Sequence, residues 1–193
     1  MKVFAFVGLP ATGKTFHAER ISKEFKIPLI ETGQILYEEV KKRGLSITKD
    51  NVKKVWEELK REDPAILTRL AIKKMKETNE PTFLILSPKC MKEVELLRDS
   101  FEECYLIAFI ASPRTRFRRA VELRHRDTKA ITKEKREELA DINTIEKFRE
   151  YRDDHEIRLG IGKVIALADY YVNTETTQEE ANFEIKRIFE ELR

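Results

Sequence analysis

The sequence predicts an α/β fold with a parallel sheet held between layers of helix, and three observations carry that expectation. Five short β-rich runs alternate with helical patterns along the chain, the signature of parallel strands joined by right-handed crossovers. The first run, Val3 to Val7, passes directly into Gly8-Leu9-Pro10-Ala11-Thr12-Gly13-Lys14-Thr15, a glycine-rich loop of the kind that joins a strand to a helix N-terminus. With 193 residues the chain is long enough for one well-buried core, or one domain with a large insertion, and short for two full domains.

Taken in order, strands are expected over Val3 to Val7, Pro28 to Glu31, Thr82 to Leu86, Cys104 to Ile110 and Asp169 to Val172. Helices are expected from Lys14 to Phe25, Gln34 to Arg43, Asp50 to Leu59, Pro64 to Glu77, Lys92 to Ser100, Pro113 to Arg126 and Thr177 to Leu192. Pro64 and Pro113 suit a first helical turn, with Asp63 and Ser112 before them as N-caps, and Gly44 stops the second helix. No Gly or Pro occurs between Pro113 and Gly160, so the charge-rich stretch after the fourth strand is expected to be nearly continuous helix.

Composition narrows the function classes. Charged residues make up 38% of the chain but balance to a net charge of +3, which describes a surface laced with ion pairs, suits a heat-tolerant protein and argues little for nucleic acid. Two cysteines, Cys90 and Cys104, give no disulfide framework, so a reducing, cytoplasmic setting is expected. No apolar run is long enough to span a membrane, and the first apolar stretch meets the glycine-rich loop where a signal peptide would have its cleavage site. His17, His125 and His155 share no ligand spacing with each other or with the cysteines, so no structural metal site is expected.

The loop carries the chemistry. Consecutive backbone N–H groups from Gly8 through Gly13, opening a helix, suit the anionic oxygens of a nucleoside triphosphate. Lys14 adds a point charge at the outer phosphates, and the Thr15 hydroxyl is expected as the magnesium ligand. A second feature is the run from Arg114 to Arg126, six arginines in thirteen residues. On a helix Arg116 and Arg119 share a face, and Glu122 can pair with Arg118 at i,i+4.

A P-loop strand, a helical insertion after the second strand and an Arg-rich helical arm after the fourth together resemble the nucleoside-monophosphate-kinase group of P-loop kinases. Within it the chain is most similar to an archaeal family related to adenylate kinase and dephospho-CoA kinase. The likeness rests further on Thr32-Gly33, on Arg152-Asp153-Asp154-His155-Glu156, and on the block Leu159 to Tyr170 followed by Asn173. It implies a three-layer core with a five-stranded parallel sheet (residues 1–33, 79–113 and 160–193), an acceptor-binding helical insertion (34–78) and a helical lid arm (114–159). It also implies ATP as donor, magnesium, and transfer of the γ-phosphoryl group to a nucleotide or coenzyme-type small molecule. By the same likeness Lys14, Arg119 and Arg124 are the expected catalytic residues, Gly8 to Thr15 with Arg116 and Asn173 the expected nucleotide-binding ones, and Arg126, Arg149 and Arg152 further lid arginines.

Three positions depart from the family pattern: Gln34 stands where an Asp usually follows the second-strand glycine, Tyr37 where an Arg grips an acceptor phosphate, and Leu86-Ser87-Pro88 where the third strand ends in Asp-Gly. Ser87 lacks the charge of a carboxylate that holds magnesium through water. Lys60, Arg61, Arg69 and Lys89 are candidate replacements for the cation, and Glu31, Asp127 and Asp153 for the acid. These departures keep a second reading open, a slow ATPase or regulatory ATP-binding module acting on a protein or RNA partner. A nucleic-acid surface on the Arg cluster is the less favoured reading of that stretch.

Overall fold

The structure, a computed structural model, describes residues 1–125 and 142–192; of Arg124 and His125 it describes the backbone alone. Its centre is a sheet of five parallel strands, β1 (Lys2–Val7), β2 (Leu29–Glu31), β3 (Thr82–Leu86), β4 (Glu103–Ile110) and β5 (Tyr170–Asn173), in the order β2-β3-β1-β4-β5. β1 is therefore central, paired with β3 on one side and β4 on the other, with Phe4 level with Leu84 and Tyr105.

Alternation along the strands explains the layers. Side chains on a strand alternate between faces, and here both sets are apolar, as a doubly covered sheet requires. Val3, Ala5 and Val7 join Phe83, Ile85, Leu106 and Ala108 on one face. Phe4, Phe6, Leu84, Leu86, Ile107, Phe109 and Val172 form the other. The first face is covered by α2 (Thr32–Lys42), α3 (Lys49–Glu62), α4 (Ile66–Lys76) and α5 (Met91–Ser100), through residues such as Val40, Val55, Ala71, Met75 and Leu97. The second is covered by α1 (Lys14–Phe25) and α10 (Gln178–Glu191), through Ala18, Ile21, Ile185 and Phe189. Burying side chains of this size stabilises the fold by roughly 1.5–3 kcal/mol each.

The remaining helices follow β4. α6 (Pro113–His125) leads into the part of the arm outside the described residues. The chain returns as α7 (Ile145–Phe148), one π-helical turn (Arg149–Asp153) and α8 (Asp154–Leu159), breaks at left-handed Gly160, and continues as α9 (Ile161–Ala166). The expected continuous helix is thus present from 145 to 159, with a π-turn inside it, and over 114–125.

Of the two helix starts with an expected N-cap, the one at Ser112 holds and the one at Asp63 does not. Ser112 accepts from the Thr115 amide at 3.3 Å, and Thr177 forms a capping box with Glu180. Pro64 lies outside α4, which begins two residues later. Asp63 does act at that turn: its carboxylate accepts from the Ala65 amide at 2.9 Å and from Arg69 at 2.8 Å, while its carbonyl takes the Ile66 amide. The side chain builds a tight turn before the helix instead of capping its first one. Both cysteines are free, and burial pushes the Cys104 thiol up to about 11.

Candidate nucleotide site

The P-loop leaves the carboxyl end of the central strand, and its backbone is held by neighbours that tolerate no side chain. A Cβ on Gly8 would lie 2.6 Å from the Phe109 carbonyl oxygen, so only glycine fits there. The Leu9 carbonyl accepts the Thr12 hydroxyl at 3.0 Å and closes the turn. Ala11 and Gly13 both adopt positive φ, 63° and 89°. Gly13 stands in the N-cap position of α1 and brings no side chain to cap it, and no acidic residue lies in the first turn. The opening amides of α1 are therefore a donor set with a positive helix end behind it, the arrangement that receives an anion. That donor set fits a nucleotide's phosphates.

A cleft of about 730 Å³ opens over this loop. Gly8, Pro10, Ala11, Thr12, Gly13, Lys14 and Thr15 line it, and Arg119, Arg152, Lys89 and Glu156 contribute charges around it. Thr174, Thr176 and Thr177, in the turn from β5 into α10, form another part of its wall. Leu9 is placed differently from its neighbours: its side chain packs against the core and its backbone does the work. The Asn173 side chain accepts from the Glu175 amide at 3.0 Å and shapes the turn in which the threonines face the cleft.

The arginines divide by environment. Arg119 reaches the Thr12 carbonyl at 3.4 Å and the Thr174 hydroxyl at 3.1 Å, bridging the P-loop and the β5 turn. It also donates to the Thr174 carbonyl. Its partial burial, reinforced by Arg118, lowers its pKa from the ordinary arginine value. Arg116 corrects the expectation of a lid arginine facing phosphates. It is 2% exposed and makes a bidentate pair with Asp153 at 2.6 and 2.7 Å. Its remaining donors go to the Ala111 and Pro10 carbonyls, and its guanidinium lies 5.5 Å from the Phe148 ring centroid. With four of its five N–H donors engaged and its charge paired, this buried fork is held by the protein and is not aimed at a ligand. The Arg124 side chain, Arg126 and Asp127 lie outside the described residues.

The acidic and acceptor positions are also resolved. Ser87 has φ 67°, a left-handed conformation suited to glycine, so it occupies the glycine place of the expected Asp-Gly pair and Leu86 the acid's. Leu86 is 4% exposed in the core. Asp153 is committed to Arg116. Glu31 ends β2, half-buried and level with Leu86 on the neighbouring strand. Burial raises its pKa from the ordinary glutamate value, and Glu19 adds to the effect. Of the candidate cations, Lys60 donates to buried Glu93 at 2.8 Å, Arg69 to Asp63 and Lys89 to Glu156 at 2.8 Å. Gln34 and Tyr37 are exposed. Among the described residues no group of three His, Cys, Asp or Glu side chains could hold a metal ion. The protein's ligand there would be Thr15, exposed in the first turn of α1, with the phosphates supplying the rest.

Sequence reasoning passed over His17 and Asn182. His17, buried behind the loop, sets Nδ1 2.9 Å from Asn182 Oδ1 and stacks on Phe109, and burial lowers its pKa. A lone histidine on a helix and an asparagine 165 residues away leave no joint signal in one sequence.

A family model described as an AAA domain matches residues 7–139. A UPF0200 protein of Thermococcus kodakarensis is 33% identical over 193 residues, covering 96% of this chain and 95% of that one. The chain belongs to the UPF0200 family and carries an AAA domain. A second UPF0200 relative, from Methanosarcina mazei, is 32% identical over 93% of this chain and 89% of its own length. Among solved structures, shikimate kinase from Aquifex aeolicus matches with a TM-score of 0.54 at 17% identity, covering 97% of this chain and 96% of that one. An uncharacterized protein from Eubacterium ventriosum matches at 0.59 and 16%, covering 98% of each. At such identities the likeness is one of fold, and the fold is P-loop kinase-like. The UPF0200 chain is thus a P-loop nucleotide-binding protein, and among its described residues no helix is long and apolar enough to cross a membrane.

Proposed function

We propose that the protein binds MgATP on the P-loop and transfers its γ-phosphoryl group to a nucleotide or coenzyme-type small molecule that enters between the loop and the helical insertion. The observation that carries this reading is the uncapped N-terminus of α1 facing a 730 Å³ cleft that also holds Lys14, Thr15 and Arg119. The backbone amides bind the phosphates, Lys14 and Arg119 spread positive charge along them, and Thr15 orients the metal. Magnesium, when bound, would neutralise charge between the outer phosphates. Positioning and charge neutralisation are most of what phosphoryl transfer asks of a protein. The 114–159 arm is the proposed lid, its arginines excluding water as it closes.

The absence of an acid at the end of β3 supports a second reading, in which hydrolysis is slow and the bound nucleotide regulates contact with a protein or RNA partner. Labelled ATP incubated with candidate acceptors and with buffer alone separates the two. Turnover at roughly 1 to 100 per second with an acceptor supports the kinase. Barely detectable turnover with nucleotide-dependent capture of a macromolecule supports the regulator. Ser87→Asp brings a carboxylate to the cleft one residue beyond the acid's place, tolerably for a left-handed position, and should raise magnesium-dependent turnover if a charge at the end of β3 is what limits it.

A further inference from the structure

We infer that the acceptor group is a free hydroxyl and not a phosphate monoester, and that Glu31 is the catalytic base that receives its proton. This rests on the kinase reading above and deepens it by naming the class of acceptor.

The strand register places the carboxylate. Leu29 packs on the α1 side of the sheet, and alternation along β2 returns Glu31 to that same side. There it stands level with Leu86 of β3, one inter-strand spacing, about 4.8 Å, away. Ser87, immediately after Leu86, lines the cleft. On α1, Thr15 and Glu19 are one turn apart on a single helix face, both line the cleft, and Glu19 is close enough to act electrostatically on Glu31. Glu31 therefore stands beside the cleft wall formed by Ser87 and Glu19, where β2 passes into the helical insertion. Although it occupies the N-cap of α2, its side chain makes no capping hydrogen bond. The carboxylate is not spent on the helix it precedes.

The cations tell the same story from the other side. A phosphate monoester calls for forked or clustered positive groups. Tyr37 stands where the clamp would be. Lys60 is committed to Glu93, which is itself 3% exposed and also accepts the Lys89 amide at 2.5 Å. Arg69 is held by Asp63 and Lys89 by Glu156. Among the described residues only Arg61 of the four has no ion pair. Near this side of the cleft stand Glu19 and Glu31, whose charges repel a dianion, and the neutral Gln34 and Tyr37, a set that suits a neutral hydroxyl compound better than a phosphate.

In the step proposed, the acceptor oxygen forms a bond to the γ-phosphorus as the bond from that phosphorus to the β,γ-bridging oxygen breaks. The electron pair leaves on ADP, and the acceptor's proton passes to the Glu31 carboxylate, which returns it to solvent. A carboxylate in partly desolvated surroundings beside a second acid is a better base than one in water.

The test is transfer from labelled ATP by wild type, Glu31→Gln and Glu31→Asp, with nucleosides and polyols as hydroxyl acceptors and nucleoside monophosphates as phosphate acceptors. ATP affinity is measured with and without magnesium for each protein. Transfer to hydroxyls alone is expected, with kcat falling about 100-fold or more in Glu31→Gln, partial activity in Glu31→Asp, and unchanged ATP affinity. Transfer to the phosphate of nucleoside monophosphates, giving nucleoside diphosphates, would overturn the inference and leave the kinase reading standing. So would a Glu31→Gln protein as fast as wild type, or one that loses the magnesium dependence of ATP binding, which would put the carboxylate at the metal. Tight ATP binding with no acceptor phosphorylated at all sinks the kinase reading and this inference with it.

Discussion

Lys14 and Ser87 show how differently two residues of one cleft bear on stability. Lys14 lies in the first turn of α1 at the cleft, so Lys14→Ala is expected to weaken ATP binding in calorimetry while leaving stability within about 0.5 kcal/mol. Ser87 holds a positive φ without being glycine, and left-handed backbone costs a side-chain-bearing residue about 1 kcal/mol. Ser87→Gly should raise the unfolding free energy by up to that amount, read by chemical denaturation. His17 gives a pH dependence with a definite sign. Burial, the largest cause, lowers its pKa from 6.5, and Arg119 and Arg20 push the same way against the bond to Asn182. The folded protein binds that proton less readily than the unfolded chain, so the contribution is full above 6.5 and is lost as pH falls through the lowered value. Thermal melts of wild type and His17→Gln across that range should diverge on the acid side.

The element most altered by the structure is the arm. Its returning half is pinned at the base by the Arg116–Asp153 pair, by Phe148 against Ala120 and Ile142, and by Lys89 to Glu156. A π-turn ends at Asp153, and such turns are frequent at functional sites. Since each residue advances a helix by about 100°, deleting one residue from 149–153 would swing Asp153 away from Arg116. Asp153→Ala leaves a buried guanidinium unpaired and is expected to cost about 3–5 kcal/mol, read by chemical denaturation. Replacing both partners by apolar residues should recover much of it. Amides of 145–159 should be protected from hydrogen exchange without nucleotide, because this segment is already docked. Strong new protection there on adding a non-hydrolysable ATP analogue would show that the base of the arm moves too.

At the scale of the molecule, the sheet and P-loop were legible because their signals are local: a glycine spacing, alternating apolar residues, a proline after Ser112. The strands fall within a residue of expectation, and α1 at Lys14–Phe25. The arginines were legible only as a set. Nothing in the sequence marks Arg116 for Asp153 or leaves Arg119 for the cleft, since that sorting depends on a π-turn and a partner 37 residues away. Glu31 was one of three candidate acids, and strand register is what distinguishes it. The charge density shows the same limit: it predicts many ion pairs, and the structure decides that Lys60 and Lys89 are structural. Those two lysines meet at the loop after β3, where Glu93 takes Lys60 from α3 and the Lys89 amide, while the Lys89 side chain takes Glu156 from α8. The insertion and the arm therefore lean on one support. A ligand that shifts either one changes the free energy of the other, and by reciprocity nucleotide and acceptor would alter each other's affinity by one common factor.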